Sequence, residues 1–196
     1  FASKQKRPLF VLGGGSNILV AGAGFPGLVM KMDILGVEFI EKTGGQVEVI
    51  AGAGENWDDL VRLTVEKNLH GLENLSLIPG TVGAVPVQNI GAYDAEVASA
   101  ISFVEIFDQQ DSKIKILSKK ACQFSYRDSV FKKPSGKNFI ITRVGFLLKK
   151  TEKKISFNTD YPDVREWLKR EKISAPTVGD ARRAIVEIRT KKLPNL

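Results

Sequence analysis

Leu9-Phe10-Val11-Leu12-Gly13-Gly14-Gly15-Ser16-Asn17 is the stretch on which the fold turns. Four apolar residues followed by three glycines predict a buried strand running into a tight loop. Successive backbone N–H groups in such a loop form a concave anion site that suits a phosphate. Without a Cβ the main chain can close on a diphosphate, and each charge-assisted hydrogen bond is worth about 1.5–3 kcal/mol. A tight structural turn is the other reading of the same glycines. Neither familiar phosphate loop fits, because Ile18 stands where the third glycine of GxGxxG belongs and no Gly-Lys-Ser/Thr follows.

The loop lies in a charge-free stretch, Pro8 to Met30, and a second runs from Asn74 to Tyr93, although the 196 residues include 29 Lys/Arg and 22 Asp/Glu. Neither is read as a membrane span. Glycines from Gly13 to Gly27 break the first, and Pro79, Gly80, Gly83, Pro86 and Gly91 break the second, so no continuous helix could satisfy its backbone in lipid. The length allows one large domain or two small ones with a real core. With 43% apolar and 26% charged residues, wholesale disorder, collagen-like repeats and a disulfide framework are excluded. Cys122 has no cysteine partner, which fits a reducing cytoplasm. No signal peptide is expected, since glycines interrupt the apolar run after Lys4, Lys6 and Arg7.

Charge is uneven: residues 1–112 hold 7 Lys/Arg against 14 Asp/Glu, and residues 113–196 hold 22 against 8. Such asymmetry points to an anionic partner near the C-terminal half, with nucleic acid, a phospholipid surface and phosphorylated small molecules as candidates. A solvated lysine-rich surface is the plainer alternative. Lys119-Lys120, Lys132-Lys133, Lys149-Lys150 and Lys153-Lys154 are not interleaved with aromatic stacking residues at a regular spacing.

Further strands are expected at Leu28–Met32, Val47–Ala51 and Phe139–Leu148, the last a central one, with a hairpin from Ile101–Phe107 and Ile114–Leu117. Trp57, Leu60, Val61, Thr64 and Val65 share one helical face, with Asp58 and Asp59 in the first turn, Lys67 in the last and Gly71 as the stop. After residue 150 the period changes. Val164, Trp167 and Leu168 predict one helix. Pro176-Thr177 opens another, with Thr177 and Asp180 at capping-box spacing, an apolar face of Val178, Ala181, Ile185 and Ile188, and Pro194 as its end. The class is α+β.

Ile78-Pro79-Gly80-Thr81-Val82-Gly83 and Gln88-Asn89-Ile90-Gly91-Ala92-Tyr93 concentrate small residues and amides. Small residues let a flat ring lie against the main chain, and Gln88 and Asn89 can donate and accept toward a heterocycle's polar edge. A self-packed Ω loop is the alternative. Tyr126-Arg127-Asp128-Ser129 stands between Phe124 and Phe131, which places an arginine close to the core, suited to clamping a carboxylate or stabilising developing negative charge. A buried Arg127–Asp128 ion pair and a surface arginine are the alternatives. His70 reads as a C-terminal helix residue rather than a base. No cluster has metal-ligand spacing, and one histidine leaves no Ser/His/Asp set.

In their order these segments, with Ala51-Gly52-Ala53-Gly54-Glu55, Gly71-Leu72-Glu73 and Arg189-Thr190-Lys191-Lys192-Leu193-Pro194, resemble the UDP-N-acetylenolpyruvoylglucosamine reductase (UDP-N-acetylmuramate dehydrogenase) family over nearly the whole chain. The resemblance implies an FAD-binding fold of the vanillyl-alcohol-oxidase (PCMH) type with two α+β lobes, residues 1–35 and 36–196, the C-terminal substrate domain being absent. It implies FAD held by Gly13, Gly14, Gly15, Ser16 and Asn17 at the pyrophosphate. Pro79, Gly80, Thr81, Gly83, Gln88, Asn89, Gly91, Ala92, Tyr93 and Ile141 would lie along the rest of the cofactor. NADPH would reduce the flavin, which passes a hydride to the enolpyruvyl ether of UDP-N-acetylglucosamine enolpyruvate in cytoplasmic peptidoglycan precursor synthesis. Arg127 would stabilise the enolate as the catalytic group, and Tyr126, Tyr161, Arg189 and Lys192 would lie near the substrate and its diphosphate.

The family's Gly-Ser-Phe-Phe segment and late glutamate are not in this sequence, so the chain is expected to be the FAD-binding portion and inactive alone. Asp94 stands where many relatives have glycine. Another flavoprotein oxidase of the same fold and a basic RNA-binding domain are the competing readings. His70 and Cys122 lie away from the motif positions, against a covalently tethered flavin, and neither a nucleic-acid partner nor a metal is expected.

Overall fold

The opening apolar run forms β1 (Leu9–Leu12), half-buried with Phe10 exposed rather than the buried strand expected, because its one partner is β2 (Leu28–Lys31), paired in parallel with Leu9 opposite Leu28. In this computed structural model, which describes residue 5, residues 7–151 and residues 161–192, those two strands make a sheet of their own. β3 (Val37–Glu41), a strand the sequence reading does not include, leads to β4 (Gln46–Gly52) and α1 (Trp57–Glu66). β5 (Leu69–His70) follows, then the long charge-poor connection, the two-residue pair β6 (Gly91–Ala92) and β7 (Ala95–Glu96), and the hairpin β8 (Ile101–Asp108) and β9 (Lys113–Ser118). β10 (Phe139–Lys150), α2 (Pro162–Arg170) and α3 (Val178–Lys192) complete the order.

The main sheet is antiparallel in the order β3-β4-β10-β8-β9, with β5 paired to the end of β10. β10 is central as expected. Alternation sets its buried face, since Val144, Phe146 and Leu148 point into the core with Val47, Val49 and Ala51 of β4 and Val104 and Ile106 of β8. α1 closes that face with Trp57, Leu60 and Val61, each worth about 1.5–3 kcal/mol on burial. Trp57 packs on Phe146 with ring centroids 5.8 Å apart, and its indole N–H donates to Leu75 O (2.9 Å).

Asn56 caps α1 by accepting from Asp59 N (3.1 Å). Its stop is Asn68 and not Gly71: Asn68 takes φ 55 and its N–H returns to Val65 O (2.9 Å). Gly71 lies beyond β5, so His70 is a strand residue paired opposite Lys149 rather than a helix end. In α3 the Thr177–Asp180 capping box is reciprocal, Asp180 N donating to Thr177 Oγ1 (3.2 Å) and Thr177 N to Asp180 Oδ2 (2.9 Å). α2 and α3 build a second small core from Val164, Trp167, Leu168, Ala181, Ala184 and Ile185, on which Tyr93 packs. The helix end expected at Pro194, and Lys153-Lys154, lie outside the described residues.

Candidate functional site

The glycine loop after β1 meets the Ile78–Thr81 segment across a cavity of about 320 Å³, lined also by Ser16, Asn17, Gln88 and Lys132. Backbone bonds hold the second wall: Trp57 N donates to Gly80 O (3.1 Å), Val82 N to Glu55 O (2.9 Å) and Gly83 N to Ala53 O (2.9 Å). A Cβ on Gly13 would stand 2.8 Å from Thr81 Oγ1, and one on Gly14 would stand 3.2 Å from Gly80 Cα. The first two glycines thus serve the approach of two loops. Gly80 takes φ +120, which only glycine adopts without strain. Thr81 Oγ1 is buried with no hydrogen-bond partner among the described residues. An adjoining cavity of about 170 Å³ shares Gly13 and Thr81 and is walled by Gly83, Val87, Phe139 and Ile141.

Residues 88–93 run from this cleft into a larger cavity of about 760 Å³. Gly91, Ala92, Tyr93, Tyr126, Arg127 and Tyr161 line it together, with His70 and Glu73 at one wall. Tyr93 and Tyr161 meet edge to face at 5.3 Å. Burial pushes the Tyr93 phenol up against the pull of Arg189 and Lys192, with Asp163 and Tyr161 also raising it. Arg189 and Lys192 are within electrostatic reach of Tyr93, although neither lines the cavity; Arg189 Nε donates to Leu77 O (3.3 Å) and Lys192 pairs with Asp163.

Two expectations are corrected by this geometry. Arg127 is exposed rather than close to the core, because residues 125–128 form a tight outward turn closed by reciprocal Ser125–Asp128 backbone bonds of 3.1 Å. It forms no buried pair with Asp128, whose carboxylate lies 3.8 Å from Lys133 Nζ; its guanidinium reaches back to donate to Gly91 O (2.8 Å). Asn89 is buried at φ 43 and its amide faces the protein: Nδ2 donates to Glu96 Oε2 (2.8 Å) and Ser125 O (3.0 Å), and Oδ1 accepts from Ala98 N (3.0 Å). A heterocycle's edge is therefore not what its N–H groups meet. Gln88 does line the cleft, its Oε1 3.5 Å from Asn17 Nδ2.

Lys132 and the His70–Glu73 pair were not singled out from the sequence. His70 Nδ1 stands 2.6 Å from Glu73 Oε1, and Gly71 N donates to Glu73 Oε2 (2.7 Å). The contact with Glu73 raises the His70 imidazole against the lowering effect of burial. Only the three-residue spacing of His70 and Glu73 hinted at the pair. Cys122 is buried and its thiol is pushed up to about 11 by burial, an inert group. No group of His, Cys, Asp and Glu among the described residues could hold a metal ion, and no described helix is long and apolar enough to cross a membrane.

A cleft of paired glycine loops with one lysine at its wall, beside a ring-lined cavity on an α+β scaffold, defines a domain that takes a nucleotide cofactor carrying a flat ring. The chain belongs to the FAD-binding domain family, whose model matches residues 1–118. Its curated relatives are named UDP-N-acetylenolpyruvoylglucosamine reductase: that of Pseudomonas fluorescens Pf-5 is 42% identical over 195 residues, covering 100% of this chain and 56% of that protein. The Pseudomonas aeruginosa PAO1 protein of the same name is 42% identical over 194 residues, covering 99% and 56%. The chain thus spans just over half the length of these relatives. Among solved structures, the reductase of that name from Thermus caldophilus matches with TM-score 0.58 at 21% identity, over 98% of this chain and 84% of that one. Cholesterol oxidase from Brevibacterium sterolicum matches with TM-score 0.57 at 11% identity, over 76% and 31%. These likenesses show the fold, an FAD-binding fold shared with PCMH-type oxidases.

The residues present fit FAD. The glycine loops leave a cradle that a Cβ would crowd at Gly13, and the unpartnered Thr81 hydroxyl offers it a hydrogen bond.

Proposed function

We propose that this chain is the FAD-binding part of a reductase that converts UDP-N-acetylglucosamine enolpyruvate to UDP-N-acetylmuramate with NADPH, in cytoplasmic peptidoglycan precursor synthesis. The observation that carries this is that one chain segment lines two cavities, Gln88 and Ile90 facing the glycine cleft and Gly91, Ala92 and Tyr93 the larger cavity that also holds Arg127, Tyr126 and Tyr161. In this reading the two lobes divide at residue 35, and the cofactor lies between them. Bound FAD, once reduced by NADPH, would supply the hydride that reduces the enolpyruvyl double bond.

The chain's own residues do the rest. Backbone N–H groups of Gly13–Asn17 meet the diphosphate, and Thr81 Oγ1 takes the hydrogen bond it lacks. Pro79, Gly80, Gly83, Gln88, Gly91, Ala92 and Ile141 wall the cofactor, Gln88 by its amide. Asn89 fixes the same segment from behind. The Arg127 guanidinium holds the substrate carboxylate, stabilising the negative charge that develops there. Its bond to Gly91 O keeps that charge beside the cofactor segment. Tyr126 and Tyr161 border the substrate, and Arg189 and Lys192 place positive charge at its diphosphate, near Tyr93.

Titration of the protein with FAD tests the reading: saturable binding with the visible band of bound flavin is expected, then NADPH consumption that depends on the enolpyruvyl substrate in the full-length protein. A protein that leaves the FAD spectrum unchanged, and binds nucleic acid with steep salt dependence instead, overturns it.

A further inference from the structure

Among the described residues lining the glycine cleft, Lys132 is the one cation, and no carboxylate lines that cleft. Lys132 ends a 3₁₀ turn, Val130–Lys132, whose root is tied to the cleft wall: Ser129 Oγ donates to Val87 O (2.6 Å) and accepts from Phe131 N (3.2 Å). From there Lys132 Nζ donates to the carbonyl oxygen of Arg127 (2.8 Å). Arg127 sits at φ 53, a left-handed conformation that a non-glycine residue keeps only where its surroundings hold it. One lysine therefore touches both the cofactor's cleft and the backbone of the arginine that faces the larger cavity.

We propose that Lys132 couples cofactor binding to the placement of Arg127: its ammonium meets the negative charge of the bound dinucleotide while holding the Arg127 carbonyl. The proposal rests on the reading that FAD occupies the glycine cleft. An ammonium has three N–H groups, and the Arg127 carbonyl uses one, so two remain for phosphate oxygens. The glycine loop is neutral, and Lys132 adds the charge that backbone N–H groups lack. A contact shared between a ligand and a turn acts in both directions, so bound cofactor steadies the turn by the factor with which the ordered turn favours cofactor. Lys132 is thus a positioning residue toward Arg127.

The test compares the wild-type protein with Lys132→Met and Lys132→Arg in two measurements: FAD affinity from flavin fluorescence at two salt concentrations, and amide hydrogen exchange over residues 125–129 with and without saturating FAD. The lysine is exposed, so neither variant threatens the core. Lys132→Met is expected to bind FAD about tenfold more weakly, the scale of one charged hydrogen bond, with a shallower salt dependence. It should also lose the slowing of exchange that FAD brings to the turn, while Lys132→Arg keeps most of both. A wild-type protein that does not bind FAD defeats the functional reading itself. If the wild type binds FAD and Lys132→Met matches it in affinity, or in cofactor-induced protection, the coupling alone is overturned.

Discussion

Asp58 and Arg182, 124 positions apart, meet through two parallel N–H···O bonds of 2.7 and 2.8 Å that fasten the first turn of α1 to α3. Burial works to raise the Asp58 carboxyl, but the Arg182 bonds and the Leu77 N–H outweigh it and hold the group below its usual range. Leu77, at φ 58, is gripped from both sides, its N–H by Asp58 and its carbonyl by Arg189. Both ion-pair partners are largely shielded from solvent, so screening is weak. Arg182→Met should cost about 2–3 kcal/mol, between a charged hydrogen bond and a fully buried pair. Urea unfolding should show a lower midpoint at unchanged slope, with Arg182→Lys recovering little because the fork geometry is lost. A change under about 0.5 kcal/mol, the level of an exposed pair, would show the clasp to be incidental.

Gly14→Val places a branched side chain where even a Cβ would stand 3.2 Å from the backbone of Gly80, itself held at φ +120. The two walls of the cleft must separate. Overpacking of this kind costs about 1–3 kcal/mol, taken here from cofactor affinity because the loop is exposed and outside the core. FAD titration should show strongly weakened binding with far-UV circular dichroism unchanged. Retained affinity would place the cofactor elsewhere.

What could be read in advance followed from local rules. The β1 run with its glycine stop, the amphipathic α1 and the capping box of α3 each depend on residues within a few positions of one another. Failures came where a partner lies far along the chain. Asn89 reads as a free amide until Ser125, 36 residues on, is brought under it, and Phe124 and Phe131 suggest a buried Arg127 until the turn closes outward. The helix stops at Asn68 and not at Gly71, because a left-handed asparagine, less conspicuous in a sequence than glycine, ends it first.

Arg127 is exposed: its guanidinium donates to Gly91 O and lies over the Tyr126 ring at 6.0 Å, and its carbonyl accepts from Lys132. Its removal should leave stability within about 0.5 kcal/mol, as for most surface substitutions. In the full-length protein Arg127→Met should lower kcat by about 10²–10³, the loss of one stabiliser of developing negative charge. FAD affinity should stay within a few-fold. Steady-state kinetics and flavin fluorescence on the same preparation separate the effects, and an unaltered kcat would remove Arg127 from the chemistry.

The His70–Glu73 pair makes stability depend on pH in a defined window. Contact with Glu73 raises His70 above its ordinary 6.5, while burial and Lys149 act the other way. Burial would raise Glu73, but His70 and the Gly71 N–H win and hold it below 4.5. A raised histidine stabilises fully below its unfolded pKa and loses that contribution as pH rises through the folded value. A depressed carboxylate stabilises above its unfolded pKa and loses the contribution as pH falls through the folded value. Both conditions hold together between 4.5 and 6.5. The Tm difference between wild type and His70→Gln should therefore be largest in that interval and shrink well above it, as the imidazole loses its proton while Glu73 stays ionised. Glu73→Gln should flatten the same profile at a greater overall cost, because Glu73 is buried and also holds the Gly71 N–H. A His70→Gln difference that is constant from acid to alkaline pH would mean that the imidazole is neutral in the fold and that Glu73 is held by Gly71 alone.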